Sequence, residues 1–340
     1  MAINKSRVAI GFIVAGVLAV VFGTVLTFVG PLIIDDQIVK NTVIDPNNDM
    51  SYTMWRDIPV PFFMSVYFFN ILNPQELLKG EKPMVEQRGP YVYRKRCQKD
   101  NITFHANDTV SYLEYRSYFF EPSMSAGNES DVVTIPNMLV LGAAIMMENQ
   151  PYLVRLMISA TFKKFKEGPF LTKSVGELMW GYDSELVEFL NSYFPGMLPS
   201  TGKFGLFAEF NNSNTGLFTI FTGQNDIRKA HKVDSWNGLT EQTGVPLNVS
   251  IRLQLNLYMK KVSGITETSK ISEVVMPMIW FEESGYIDGP ILTTFHTNLV
   301  ILPAVMEYMQ YGFIALGLLT IIIAFLVHHR ARVKLPHSMM

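Results

Sequence analysis

The residues best suited to chemistry in this chain of 340 residues are basic side chains in one stretch of helical pattern, Pro151 to Gly168. At 100° per residue, Arg155, Lys163 and Lys166 fall within an arc of about 80° on one side of a helix. Much of the rest is filled by the apolar side chains of Leu156, Met157, Ile158, Phe162 and Phe165, so the helix is expected to bury a wide apolar face and expose a basic stripe. With Lys164, these residues are candidates for binding an anionic partner. The alternative, a solvated face of a packed helix, remains open.

Patterns for catalysis are absent from the sequence. The chain has six histidines and contains no H-E-x-x-H, no G-x-S-x-G, no P-loop and no G-x-G-x-x-G. We therefore expect a protein that binds rather than an enzyme, without a cofactor or a metal. The net charge of −2 argues against a nucleic-acid partner.

Five N-x-S/T sequons are candidate glycosylation sites, against about two or three expected by chance from this composition. They lie at Asn101, Asn107, Asn128, Asn211 and Asn248. Such sites are used in an extracellular or lumenal segment, so their excess suggests that compartment for the middle of the chain.

The chain has one cysteine, Cys97, so it has no intrachain disulfide. Its basic neighbours, Lys95 and Lys99 among them, could lower the pKa of the thiol and make it reactive. The alternative is an unpaired thiol without a role.

Two uncharged apolar runs are long enough to anchor the chain in a membrane. Val8 to Val29 continues uncharged to Ile34, and Tyr308 to Val327 forms the second run. The first spans roughly 33 Å as a helix, enough to cross a bilayer, and exceeds the apolar region of about 7 to 15 residues in a signal peptide, which is the alternative. Transmembrane helices are therefore predicted at 8–34 and 308–327.

Basic residues flank the outer ends of both runs, and acidic residues flank the inner ends. The positive-inside rule then predicts cytoplasmic tails at 1–7 and 328–340, with 35–307 outside the cell or in a lumen. In the first run, Ala15, Ala19 and Gly23 form a small-xxx-small row through which two copies could associate.

The segment between the runs alternates between strand and helix patterns. Residues 35–133 are predicted mostly β and 136–194 helical, with Ser174 and Glu177 forming a capping box. β character returns at 205–210 and 215–223. Leu247 to Met259 alternates strictly between apolar and polar residues, which predicts a strand with one apolar face and one polar face.

Several stretches together resemble the class B scavenger receptor family. They are VYFFNILNPQELLKGEKPMVEQRGPYVYR, LVLGAAIMMENQPY, VGELMWGY, YFPGM, KFGLFAEFNNSNTGLFTIFTG and VDSWNGL. The resemblance implies an α+β membrane protein, with two transmembrane helices flanking a β-rich, barrel-like domain. The helices of 136–194 would form an apical bundle, and an apolar tunnel would run toward the membrane. It also matches Arg155, Lys163, Lys164 and Lys166 to the family's basic, ligand-binding helix.

The function implied by this resemblance is that of a plasma-membrane receptor. Such a receptor binds high-density lipoprotein and anionic lipid-rich ligands, and it transfers cholesteryl ester and phospholipid selectively. Another branch of the family implies the alternative of a lysosomal trafficking receptor for a hydrolase, whose acidic dileucine-type signal is not visible after Val327.

The sequence departs from the family near residues 239–242, where Thr240-Glu241 replaces a long cysteine-rich stretch. Val249 also stands where relatives have cysteine, and the tail lacks the adaptor-binding ending of the lipoprotein-receptor branch. A shortened form without transport activity is therefore a further alternative, because the lost stretch would supply disulfides and part of the tunnel wall.

Overall fold

The structure, a computed structural model, describes residues 5–193, 203–239, 248–286 and 289–333. It divides into two compact units. The first comprises Met1–Tyr52, Thr222–Ala230 and Asp288–Met340, and the second comprises Thr53–Phe221 and His231–Ile287.

The chain begins and ends with helices, and the strands lie between them with further helices interspersed. The helices are α1 (Lys5–Thr42), α2 (Asp49–Arg56), α3 (Pro74–Leu77), α4 (Met138–Met146), α5 (Tyr152–Lys164), α6 (Val175–Trp180), α7 (Glu185–Tyr193), α8 (Gly289–His296) and α9 (Leu302–Val333). The strands are β1 (Phe62–Ile71), β2 (Val85–His105), β3 (Thr109–Phe120), β4 (Val132–Pro136), β5 (Phe170–Ser174), β6 (Tyr182–Asp183), β7 (Lys203–Phe204), β8 (Ser213–Phe221), β9 (Val233–Trp236), β10 (Asn248–Met259) and β11 (Val274–Tyr286).

The first unit contains the two membrane-spanning helices. Within α1 and α9, the segments Arg7–Thr42 and Leu302–Arg330 are long and apolar enough to cross a bilayer. Both helices extend beyond the predicted spans, because charged residues such as Lys40 also adopt helical geometry. Lys40 pairs with Asp36 one turn earlier at 2.7 Å.

Small residues let α1 and α9 pack closely. The buried positions of α1 are Ala9, Gly16, Gly23 and Gly30, spaced by seven residues, which keeps them on one seam. A Cβ atom on Gly23 would lie 2.8 Å from the carbonyl oxygen of Gln310 in α9. Gly23, predicted to serve self-association, thus contacts α9 of the same chain, whereas Ala15 is exposed.

The second unit is built on a seven-stranded antiparallel sheet, in the order β10-β11-β1-β2-β3-β8-β9. This confirms the predicted α+β class with a β-rich central domain. Apolar residues form rows across the inner face of the sheet, since directly paired residues of antiparallel strands point to the same side. One row consists of Leu253, Phe281, Val66 and Tyr91.

A short helix covers the middle of that inner face. Val175 and Met179 of α6 are fully buried against it, and the Trp180 ring meets the Tyr93 ring edge-on at 5.1 Å. The predicted capping box is confirmed at the start of α6. Ser174 N donates to Glu177 Oε2 at 3.0 Å, and Glu177 N donates to Ser174 Oγ at 3.3 Å.

In its described part, the segment predicted as helical, 136–194, contains four helices but also two strands, β5, which pairs with β4, and β6, which pairs with β7. Asn137 caps α4, because its Oδ1 accepts from the backbone N–H groups of Leu139 and Val140. Buried residues of α4, α5 and α7 form a separate apolar cluster that includes Phe162 and Leu186. The end of the predicted block, from Phe194, lies outside the described residues.

Two other strand predictions meet different outcomes. Residues 205–210 form turns rather than a strand, because Phe210 N donates to Phe207 O at 3.0 Å and the buried Phe207 ring anchors the turn in the core. The strand predicted at Leu247 to Met259 is confirmed as β10, although Leu247 lies outside the described residues. On its apolar face, however, Ile251, Leu253 and Leu255 are exposed, whereas Met259 is fully buried.

Candidate ligand-binding surface on α5

One face of α5 is fixed to the domain by apolar and polar contacts. Phe162, Ile158 and Ser159 are buried. Ser159 Oγ donates to Glu267 Oε2 at 2.7 Å and accepts from the backbone N–H of Thr266 at 3.1 Å. These bonds satisfy a polar group that would otherwise be costly to bury, and they hold the helix in one orientation.

The opposite face of α5 exposes large apolar side chains. Leu153 is 69% exposed and Met157 is 63% exposed. Leu156 and Tyr152 are also exposed. Met146, at the end of the preceding helix α4, is exposed as well. The prediction that Leu156 and Met157 belong to a buried face is wrong. The rest of the domain packs only against the side of α5 that carries Ile158 and Phe162. The apolar side chains on the other side therefore remain exposed to solvent.

The basic residues do not form one stripe. α5 ends at Lys164, and Lys166 has a φ of 55°. The 100° spacing therefore does not extend to Lys166, and its predicted place on the helical stripe is wrong. Arg155 is half-buried, and its Nη1 donates to the carbonyl oxygen of Glu148 at 3.0 Å. Its guanidinium also lies 5.7 Å from the Tyr152 ring centre, so its charge is partly engaged.

Lys163, Lys164 and Lys166 form a basic group at the C-terminal end of α5, where the helix dipole favours cations. All three are exposed, and none has an acidic partner within salt-bridge distance in the described parts of the chain. We call the exposed apolar side chains of α5 and these lysines the α5 surface: Tyr152, Leu153, Leu156, Met157, Lys163, Lys164 and Lys166.

The α5 surface combines two kinds of contact that suit an anionic lipid layer. Exposed apolar side chains can enter the acyl region, and the exposed ammonium groups attract anionic headgroups. Sequence reasoning found the lysines but missed the apolar part. Spacings such as Leu153, Leu156 and Met157 also occur on buried helix faces, so the pattern alone does not say which face is covered.

The predicted glycosylation sites differ in accessibility. Asn101, Asn107 and Asn128 are exposed. Asn211 is half-buried, and its Oδ1 accepts a hydrogen bond from the backbone N–H of Tyr118 at 3.1 Å. The side chain of Asn248 lies outside the described residues.

Cys97 on β2 is half-buried, and the structure contradicts the prediction of a lowered pKa. Burial raises the pKa of its thiol and the Glu114 carboxylate raises it further, whereas Lys95 and Lys99 act in the opposite direction. Both lysines have acidic neighbours of their own. Lys95 Nζ lies 3.2 Å from Glu283, and Lys99 Nζ lies 3.6 Å from Glu114. A thiol in this setting is a weak nucleophile.

Within the ranges that the structure describes, no group of three or more histidine, cysteine, aspartate or glutamate residues is placed to hold a metal ion. The α5 surface is therefore the site whose geometry has a clear chemical use.

Comparison with known proteins agrees with the fold. The sequence profile of the CD36 family matches residues 14–243 and 239–328. The chain belongs to the CD36 family. Its two membrane-spanning helices and its β-rich domain are those of a membrane protein of this family.

The relatives within the CD36 family include named receptors. Scavenger receptor class B member 1 of Bos taurus is 36% identical over 465 aligned positions, which cover 97% of this chain and 91% of the relative. The protein of the same name from Sus scrofa is 36% identical over 460 positions, covering 96% and 90%. Lysosome membrane protein 2 of Rattus norvegicus is 35% identical over 209 positions, covering 61% of this chain and 42% of the relative.

The CD36-family comparison also bears on the length of this chain. An alignment of 465 positions is longer than the chain itself, so the relative carries residues without a counterpart here. The two profile matches meet at residues 239–243, next to the predicted junction. Thr240 to Gln242 lie outside the described residues.

Proposed function

We propose that this chain is a plasma-membrane receptor, with both termini in the cytoplasm, that binds lipoproteins such as high-density lipoprotein. It would also bind other anionic lipid-rich ligands and transfer cholesteryl ester and phospholipid selectively. It acts by binding and conduction rather than by covalent chemistry. The relatives that align with nearly the whole chain are named as receptors, which supports a receptor function for this chain.

The observation that carries this proposal is the α5 surface. A lipoprotein presents phospholipid headgroups over an apolar interior. Burying one exposed Leu or Met side chain stabilises the complex by about 1.5–3 kcal/mol. Each lysine near an anionic lipid surface adds about 1 kcal/mol. Leu153 and Met157 together with Lys163, Lys164 and Lys166 therefore provide enough attraction for reversible binding. Arg155 contributes less, because its guanidinium is already engaged.

The proposed route for lipid follows the inner face of the sheet, where Met64, Val66 and Phe68 are fully buried. An apolar cavity in this core, lined in part by Leu178 and Met278, has a volume of about 10 Å³. This is room for about one water molecule. Passage of a cholesteryl ester would therefore require the core to open.

The test is uptake of labelled cholesteryl ester from high-density lipoprotein into cells that express the full chain, normalised by surface biotinylation. Lys163→Glu, Lys164→Glu and Lys166→Glu are combined in one variant. The matched control reverses three exposed lysines elsewhere on the same unit, at Lys79, Lys82 and Lys270. We expect the α5 variant to lose at least tenfold in lipoprotein binding and the control to keep it.

Equal binding by the α5 variant and the unmodified chain would refute the α5 site. Lipoprotein binding without lipid uptake, by protein that is present on the cell surface, would support the alternative of a shortened receptor without transport. Protein found in lysosomes rather than at the surface would support the trafficking alternative, in which the chain carries a hydrolase.

A further inference from the structure

The edge strand β10 is open to solvent. Among the described residues, β10 pairs with β11 on one side and with no strand on the other. Every residue from Ser250 to Asn256 is exposed, so both faces of this stretch meet solvent. The side chains of Ile251, Leu253 and Leu255 are 48%, 54% and 40% exposed.

These apolar residues continue the core of the domain. Leu253 lies beside Phe281, which lies beside the fully buried Val66. Leu255 likewise lies beside the fully buried Ile279, whereas Ile251 lies beside the charged Glu283. The helix α6 and its neighbours cover the rows at β1 and β2, but the cover does not extend to this stretch of β10. At the end of the strand, Met259 is fully buried. Apolar surface left in water costs about 25 cal/mol per Å², so covering it would stabilise the protein.

Apart from a register shift against β11 between Leu255 and Asn256, the edge also lacks the features that normally prevent pairing between sheets. Natural edge strands are short, or carry lysine, proline or inward-pointing charges. β10 has twelve residues and contains no lysine and no proline. Its one charged residue, Arg252, donates from Nη2 to Glu282 Oε1 on β11 at 3.0 Å. That carboxylate also accepts from Ser250 Oγ at 2.7 Å, so the charge is balanced within the sheet.

We propose that β10 pairs with β10 of a second copy of this chain, antiparallel, about a two-fold axis that passes at Leu253. This proposal is independent of the proposed receptor function. In this register Leu253 faces Leu253 of the second copy, Ile251 faces Leu255, and Arg252 faces Gln254. Apolar residues meet apolar residues on one face and polar residues meet polar residues on the other.

Registers in which the axis moves by one residue or less fit less well. A shift that moves the axis to Arg252 places two arginines opposite each other. Any register that pairs Leu253 with Gln254 puts the apolar residues of the two copies on opposite faces of the joined sheet. The register centred on Leu253 joins them in one continuous apolar strip. It is also the isologous arrangement expected of a two-fold dimer.

The first test is disulfide trapping in the full chain, purified in detergent, with Cys97→Ser as the background. Leu253→Cys places two thiols directly opposite each other, where paired residues have Cα atoms about 4.5–5.5 Å apart, within the range of a disulfide. Val275→Cys is the matched control, because Val275 is similarly exposed at 61% but lies on β11, one strand from the edge. Mild oxidation should convert Leu253→Cys, and not the control, into a covalent dimer of the chain.

The second test uses Leu253→Lys without an engineered cysteine, with Val275→Lys as control. Two ammonium groups at the axis should raise the dimer dissociation constant at least tenfold, measured by light scattering, while circular dichroism checks that the variant is folded. The proposal is overturned if Leu253→Cys forms no more dimer than its control. It is also overturned if Leu253→Lys leaves the oligomeric state unchanged. That result would be expected if two copies associated only through their membrane helices. A covalent product containing a different protein would equally exclude pairing with a second copy.

Discussion

A Cβ atom on Gly16 of α1 would lie 2.7 Å from the carbonyl oxygen of Gly317 in α9. The reverse contact is equally close, because a Cβ on Gly317 would lie 2.6 Å from the carbonyl oxygen of Gly16. Both obstacles are backbone atoms, which cannot move away as a flexible side chain can. The close approach of the two membrane helices therefore depends on glycine at both positions.

Replacing Gly16 with valine should push α1 and α9 apart. Overpacking of this kind costs about 1–3 kcal/mol, so the melting temperature of the purified full chain in detergent should fall by several degrees. Gly11→Val is the matched control, since Gly11 lies on the same helix and a Cβ atom there would meet no other atom within 4 Å. Equal melting temperatures for the two variants would show that the contact does not stabilise the protein.

The apolar and basic parts of the α5 surface should respond differently to salt. Leu153→Asp and Met157→Asp should each weaken binding to lipoprotein about tenfold or more, and binding should still fall with added salt. The combined reversal of Lys163, Lys164 and Lys166 should instead remove most of the salt dependence, because screened charge attraction is what salt weakens.

The measurement for the α5 surface is lipoprotein binding to immobilised full chain from about 0.05 M to about 0.5 M sodium chloride, over which the screening length falls severalfold. Val132→Asp serves as the control for an exposed apolar residue outside α5. The same salt slope before and after charge reversal would contradict a role for the lysines.

Cys97 should react slowly with thiol reagents. Its pKa is raised, so the thiolate fraction at neutral pH is smaller than for a free cysteine, and the rate should rise at a pH above the ordinary thiol value of about 8.5. Alkylation of the native chain followed by mass spectrometry across pH gives this profile. Glu114→Gln should shift the profile to lower pH, because the carboxylate is one cause of the raised pKa. Native protein that reacts as fast as unfolded protein would contradict this assignment.

Glycosylation should distinguish Asn211 from the exposed sequons. Asn101, Asn107 and Asn128 should carry glycans, whereas Asn211 should be modified poorly because it is half-buried and bonded to Tyr118. Single Asn→Gln variants expressed in cells, compared by gel mobility with and without glycosidase, measure the occupancy of each site. Absence of glycans at all sites would also contradict the proposed orientation, since it would place the middle of the chain in the cytoplasm.

Local sequence patterns were enough to predict much of the fold. The two membrane spans follow from long uncharged runs, because the cost of placing charges in lipid acts on each residue wherever it packs. The capping box of Ser174 and Glu177 joins residues three positions apart, so it needs no information from the rest of the chain. The strand β10 was likewise evident from alternation with a period of two.

The sequence by itself determined where apolar residues lie along each element, and tertiary structure decided which of them are covered. Leu156 and Met157 of α5 and Leu253 of β10 carry the patterns of buried faces, yet all three are exposed. The charge around Cys97 suggested a reactive thiol, but burial and Glu114 outweigh lysines that are already paired. Gly23 contacts α9, some 290 residues away in sequence. The physical reason is common to all of these residues: burial and pairing depend on atoms brought together from distant parts of the chain, and a local pattern carries no record of them.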